Sequence, residues 1–218
     1  MSKTDENENE NKNEIEIKLV FVGETKVGKT SLINQYIKNV FHPGYISTIG
    51  SDKFIKKLIL DDSKIILLVV WDTAGQERFR ALNTIFLKGA NIVLMVYDIT
   101  NKESFEELKN YWYEIVVEKV NGNFILGIAG NKSDLYKNSQ VPLEEGKSYA
   151  NKVNAIFSET TALNLNSIQD LINSLVKEYI DKFIKEKEKE KEINTRKQLN
   201  KEKNKEKRKK CCNNNKKK

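Results

Sequence analysis

Cysteine is almost missing. The 218 residues hold two, Cys211 and Cys212, side by side in "RKKCCNNNKKK". A disulfide framework needs several spaced cysteines in a small secreted domain, so none is expected. Long apolar runs are missing too. Stretches such as "IILLVV" (65–70) fall far short of the roughly 20 residues that cross a bilayer. No N-terminal apolar stretch flanked by positive charge marks a signal peptide. These absences predict an intracellular chain with reduced thiols, and they leave the paired cysteines to be explained.

What is present falls into three parts. Residues 1–14, "MSKTDENENENKNE", carry five acids and two lysines and too little apolar surface to fold, so a disordered acidic N-terminus is expected. From Ile15 apolar runs appear at "IEIKLVFVG", "KIILLVVWDTAG", "NIVLMVYDIT", "FILGIAGNKSD" and "AIFSETTA", each ending in small or polar residues. Such runs suit strands buried on both faces of a parallel sheet. "GKTSLINQYIKN", "ESFEELKNYWYEIVVEKV", "LEEGKSYANKV" and "SIQDLINSLVKEYIDKFI" read as helices between and after them. Strand–helix alternation predicts a doubly wound α/β sheet. "DKFIKKLILDD" and "SKIILLVVWD" are separated by a short turn, which predicts a hairpin and one antiparallel edge strand. Residues 15–181 are enough for one domain with a real core.

The remainder, 182–218, holds 17 Lys/Arg and six Glu, a net charge of +11. The whole chain is +7, so everything before Lys182 sums to −4. "IKEKEKEKEI" is able to extend the last helix; beyond it a disordered basic tail is expected. The basicity belongs to the tail, and no folded basic face supports nucleic-acid binding.

"GETKVGKT" (23–30) fits G-x-x-x-x-G-K-[ST] between a predicted strand and a predicted helix. Its glycines let backbone N–H groups approach phosphate oxygens, and the helix N-terminus adds positive potential. Gly23, Glu24, Thr25, Lys26, Val27, Gly28, Lys29 and Thr30, with Ser31 just inside the helix, are the expected phosphate cradle. Lys29 reaches the β- and γ-phosphates and Thr30 offers its hydroxyl to Mg²⁺. "WDTAGQE" (71–77) ends another strand. There Asp72 is expected to hold Mg²⁺ through water, Gly75 to offer its N–H to the γ-phosphate, and Gln76 to orient the attacking water. In "NKSD" (131–134) Asp134 accepts from guanine N1–H and the exocyclic amine. Adenine has no matching donors, so the carboxylate would be left unpaired. Asn131 is expected to tie this loop to the phosphate loop and the Lys132 stem to lie on the base. Together the motifs specify GTP over ATP.

In these motifs, with "YISTIG", "VYDIT" and "ETTA" in their usual order, residues 15–180 resemble the small GTPases of the Ras superfamily, the Rab family most closely. The resemblance implies the G-domain fold: a six-stranded, mostly parallel sheet with one antiparallel edge strand and about five helices on both faces. It implies that Thr48 senses Mg²⁺ and the γ-phosphate, that Phe41 stacks on guanine, and that Tyr45 closes over the phosphates. It sets Thr161 and Ala162 in the guanine loop, with Leu163 at the position of the family's S-A-K lysine. The chain departs from the Rab pattern at "IGSDK" (49–53), which loses two apolar effector-facing positions, and at "FLKGA" (86–90). Two slots that are glycine in Ras hold Thr25 and Lys26.

The resemblance also explains the cysteine pair. Rab proteins carry geranylgeranyl groups on paired C-terminal cysteines behind a flexible tail, although here six residues, "NNNKKK", follow the pair. Two lipids hold where one exchanges, and "KEKRKK" ahead of them adds attraction to anionic lipid. The expectation is a monomeric GTP/GDP switch in vesicle trafficking. It hydrolyses GTP slowly and sits on the cytoplasmic face of an intracellular membrane while cycling with the cytosol. Its implied partners are a GTPase-activating protein, a guanine-exchange factor, an escort or dissociation-inhibitor protein, and effectors at the switch regions. Two alternatives stand beside it: a GTP-binding module with negligible hydrolysis, and an unlipidated soluble regulator whose tail binds polyanions.

Overall fold

The structure, a computed structural model, describes residues 14–41, 51–59, 65–73 and 85–186. The chain forms two compact units, Met1–Lys177 and Glu178–Lys218. The first is built on strands β1 (Glu14–Val22), β2 (Ser51–Ile59), β3 (Ile65–Thr73), β4 (Ile92–Asp98), β5 (Ile125–Asn131) and β6 (Ile156–Thr160). They form one sheet in the order β2-β3-β1-β4-β5-β6. All neighbours are parallel except β2, which runs antiparallel to β3 from Ser51↔Thr73 to Ile59↔Ile65. The predicted hairpin and the antiparallel edge are therefore present.

Five α-helices are described in full, α1 (Lys29–Lys38), α2 (Lys102–Glu107), α3 (Tyr113–Lys119), α4 (Leu143–Lys152) and α5 (Leu165–Tyr179), and residues 85–87 are helical as well. The sequence predicts a single helix where α2 and α3 stand. A π turn, Leu108–Trp112, interrupts it. Phe105, Leu108, Trp112 and Val116 are nevertheless all fully buried, so the apolar stripe runs through the interruption. Asn101 starts α2 by accepting from the Ser104 N–H at 3.3 Å.

The central strands β4 and β5 are buried along their whole length. Helices cover them on both faces, so near-continuous apolar runs such as "IVLMVY" are what they need. On one face Val20, Val22, Val93, Met95 and Tyr97 pack with Phe105, Leu108, Trp112, Val116 and Ala150. On the other, α5 comes so close to β5 that a Cβ on Gly127 would lie 2.8 Å from Leu175. That helix buries Ile168, Leu171, Ile172, Leu175 and Val176, the i, i+3, i+4, i+7, i+8 stripe of an amphipathic helix. In the second unit, described over Glu178–Glu186, Lys182 pairs with Glu178 at 2.8 Å and Lys185 with Asp181 at 2.5 Å. The acidic N-terminus before Glu14 and the basic tail beyond Glu186 lie outside the described residues.

Among the described residues two buried tyrosine hydroxyls, those of Tyr36 and Tyr97, lack a hydrogen-bond partner. Tyr97 is fully buried. Burial raises its pKa, and Glu159 and Glu145 push it further. Gly146 on α4 faces it: a Cβ there would come within 2.4 Å of the Tyr97 oxygen and 3.0 Å of Phe157. Gly146→Ala should therefore cost about 1–3 kcal/mol through overpacking, and Tyr97→Phe should recover part of that loss. Tyr97→Phe alone should stabilise by about 1 kcal/mol, because it removes an unsatisfied buried group. Urea unfolding of the three variants checks this; a destabilised Tyr97→Phe would mean that the hydroxyl has a partner after all.

Candidate functional site

The motif residues gather at the carboxyl ends of the strands. Gly23 follows β1, Asp72 lies near the end of β3, and Asp98, Asn131 and Thr160 end β4, β5 and β6. In open α/β sheets ligands bind outside these ends, where the chain leaves a strand toward opposite sides. Here that point is β1, which lies between β3 and β4.

The loop after β1 is shaped by its glycines. Gly23 takes φ 142°, and a Cβ there would lie 2.2 Å from the Val96 carbonyl oxygen. Gly28 takes φ 96° directly ahead of α1, and a Cβ there would lie 2.3 Å from Asn131 Nδ2. Lys26 also adopts a left-handed conformation, φ 64°. No side chain caps the start of α1 at Gly28, so its first N–H groups suit an anion. Lys29, only 5% exposed, donates to the carbonyls of Gly23 at 2.8 Å and Glu24 at 2.9 Å. Burial lowers its pKa to about 8, with Asp72 and Glu24 opposing the shift. A desolvated ammonium beside a helix N-terminus fits a polyphosphate.

The Thr30 hydroxyl donates to Asp72 Oδ2 at 2.6 Å, and Asp72 is fully buried. With its hydrogen directed at the carboxylate, the Thr30 oxygen keeps lone pairs for a cation. A hydroxyl and a carboxylate are hard oxygen donors that fit Mg²⁺, whose other positions typically go to phosphate and water. No cluster of three His, Cys, Asp or Glu suited to a metal lies among the described residues.

Asn131 connects the two halves of the site. It is 1% exposed, and Nδ2 donates to the Val27 carbonyl at 2.7 Å. Its Oδ1 accepts from Thr160 at 3.3 Å. Asp134 accepts from the Thr161 hydroxyl at 2.5 Å, and the Leu163 N–H donates to the same hydroxyl at 3.2 Å. Ser167 bonds both the N–H and the carbonyl of Thr161, each at 3.1 Å. Ala162 is buried and Leu163 is 58% exposed. Lys132, at φ 65°, makes a 2.5 Å ion pair with Asp98. Asp98 in turn accepts from the Thr100 N–H and hydroxyl at 2.9 and 2.7 Å.

The structure thus brings Gly23 through Thr30, Asp72, Asn131, Lys132, Asp134 and Thr161 to one edge of the sheet. Ser31 lies in the first turn of α1, and Phe41 is 40% exposed. Tyr45, Thr48, Gly75 and Gln76 lie outside the described residues, as do Cys211 and Cys212. Sequence reasoning missed Asp98, Thr160, Ser167 and Trp112. Only Asp98 had a signal: an acid at the end of "IVLMVYD", in register with Asn131.

A glycine-shaped loop cradling a buried lysine, on a sheet of this strand order, defines a P-loop nucleotide-binding domain. The model of the Ras family matches residues 18–181. "Ras-related protein RABA1b" of Arabidopsis thaliana is 38% identical over 153 residues, covering 70% of each chain. This chain belongs to the Ras family, on its Rab branch, and is a small GTPase, a GTP hydrolase. Members of the family bind GTP or GDP with Mg²⁺ and work with activating, exchange, dissociation-inhibitor and effector proteins.

The Gly28–Asn131 approach separates a functional glycine from a merely strained one. Gly122 has nearly the same φ, 94°, with nothing within 4 Å of a built Cβ. Gly122→Ala should cost about 1 kcal/mol of stability and leave nucleotide affinity unchanged. Gly28→Ala displaces Asn131 as well and should lower GDP affinity by roughly tenfold or more, about one lost hydrogen bond. Calorimetric GDP titration of both variants distinguishes them; equal affinities would refute the coupling.

Proposed function

We propose that this protein is a GTP/GDP switch in vesicle trafficking, selective for guanine and slow in intrinsic hydrolysis. The observation that supports the reading is the Asn131 bridge, which ties the loop carrying Asp134 to the phosphate loop at Val27. Backbone N–H groups of residues 23–31 and the Lys29 ammonium hold the β- and γ-phosphates. Thr30 and Asp72, with Thr48, hold Mg²⁺, which when bound neutralises charge across those phosphates. Gly75 meets the γ-phosphate and Gln76 aligns water for in-line attack. Phe41 stacks on the base, Tyr45 covers the phosphates, and Ala162 offers its N–H to the guanine carbonyl.

Thr48 and Gly75 hold their loops only while the γ-phosphate is present, so its loss releases both loops and ends effector binding. No arginine is placed by the sequence to enter in cis, so fast turnover needs one from an activating protein. Effectors read a surface in which Lys53, not an apolar residue, lies 5.9 Å from the Trp71 ring. Geranylgeranyl groups on Cys211 and Cys212, with the basic tail, hold the protein on the cytoplasmic face of a membrane. An escort or dissociation-inhibitor protein returns it to the cytosol. No helix among the described residues is long and apolar enough to cross a membrane.

Base selectivity tests the reading. Asp134→Asn keeps an acceptor for N1–H but puts a donor where guanine presents its exocyclic amine, and xanthine carries a carbonyl at that position. The substitution should weaken GTP binding by roughly a hundredfold or more and admit XTP in its place. Competition of GTP, ATP and XTP for wild-type and variant protein measures this, and an unchanged preference for GTP would exclude Asp134 as the base reader.

A further inference from the structure

Trp112 reaches out of the core to the phosphate loop. Its indole N–H donates to Glu24 Oε1 at 3.0 Å, across 88 positions of sequence. Trp112 itself is fully buried, and it is the last residue of the π turn between α2 and α3. A π turn carries an extra residue and recurs at functional sites. Glu24 is the second residue of the loop, and its carbonyl accepts one of the two bonds that seat the Lys29 ammonium.

We propose that Trp112 is a positioning residue for nucleotide binding, latching the phosphate loop to the core through Glu24. The inference rests on the reading of this site as a guanine-nucleotide site. Two physical consequences follow from the bond. A carboxylate in a loop that must hold a polyphosphate repels it, and a charge-assisted bond to the indole keeps that carboxylate turned toward the core. The same bond fixes the residue whose carbonyl orients Lys29, so loop and ammonium are set before the nucleotide arrives. The bland account is that a buried indole N–H needs some acceptor, and Glu24 is the one at hand. On that account the bond matters to the core and not to the nucleotide.

The two accounts separate in a double-mutant cycle. Release of N-methylanthraniloyl-GDP is followed from the full chain, Trp112→Phe, Glu24→Ala and the double variant, at a temperature where all four are folded. The latch predicts that Trp112→Phe speeds release roughly tenfold, the loss of one hydrogen bond to a charged group. In the Glu24→Ala background the same change should alter release by about twofold or less, because the contact is already gone. Equal acceleration in both backgrounds, or none in either, overturns the proposal.

Should Trp112→Phe not fold, Glu24 is changed alone. Glu24→Gln keeps the shape of the side chain and weakens the bond, so the latch predicts both a shifted indole N–H resonance, assigned against Trp71→Phe, and release severalfold faster. A shifted resonance with unchanged release, the outcome of the bland account, contradicts the latch. A wild-type protein that fails to take up the analogue overturns the guanine reading and this inference with it. Additive effects in a wild type that does bind overturn the latch alone.

Discussion

The site depends on one buried amide. Asn131 spends its donor on the phosphate loop and its acceptor on the end of β6, at 2.7 and 3.3 Å. Removing a partner from a buried amide costs about 1–3 kcal/mol. Here the loss would also free three loops that come from distant parts of the sequence. The amide fits because Gly28 has no side chain; a Cβ would stand 2.3 Å from Nδ2. The second glycine of the loop therefore serves the hydrogen bond between loops as much as the approach of phosphate. Asp98 and Thr161 extend the brace by holding Lys132 and Asp134.

The sheet makes that convergence possible. With β1 between β3 and β4, the loops leaving their carboxyl ends open beside one another. Burial then does the electrostatic work. Lys29 is held with its charge depressed toward a pKa of about 8, an arrangement that costs folding energy and favours a bound anion. Acids dominate the chain before Lys182, so the phosphate-binding character is local to this loop and helix end, not a property of the domain's overall charge.

The fold was legible because both of its signals are local. Apolar runs bounded by turn residues marked the strands, and the spacing of Ile168, Leu171, Ile172, Leu175 and Val176 marked α5. The phosphate and guanine motifs were legible because each is a short run whose chemistry fixes its spacing. What sequence reasoning missed is long-range. The Trp112–Glu24 bond joins residues 88 positions apart, and the Lys132–Asp98 pair joins the ends of two strands. The π turn was invisible for another reason: the apolar stripe through Phe105, Leu108, Trp112 and Val116 reads as an ordinary helix.

The central claim is that the phosphate loop, the Asn131–Asp134 loop and the Thr160–Leu163 segment form one guanine-nucleotide site. Amide hydrogen exchange of the full chain, with and without GDP and Mg²⁺, tests it most directly. Amides of 23–31, 131–135 and 160–163 should slow together on addition of GDP, and ADP at the same concentration should leave them unchanged. Equal protection by ADP, or protection of only one of the three segments, would contradict the account.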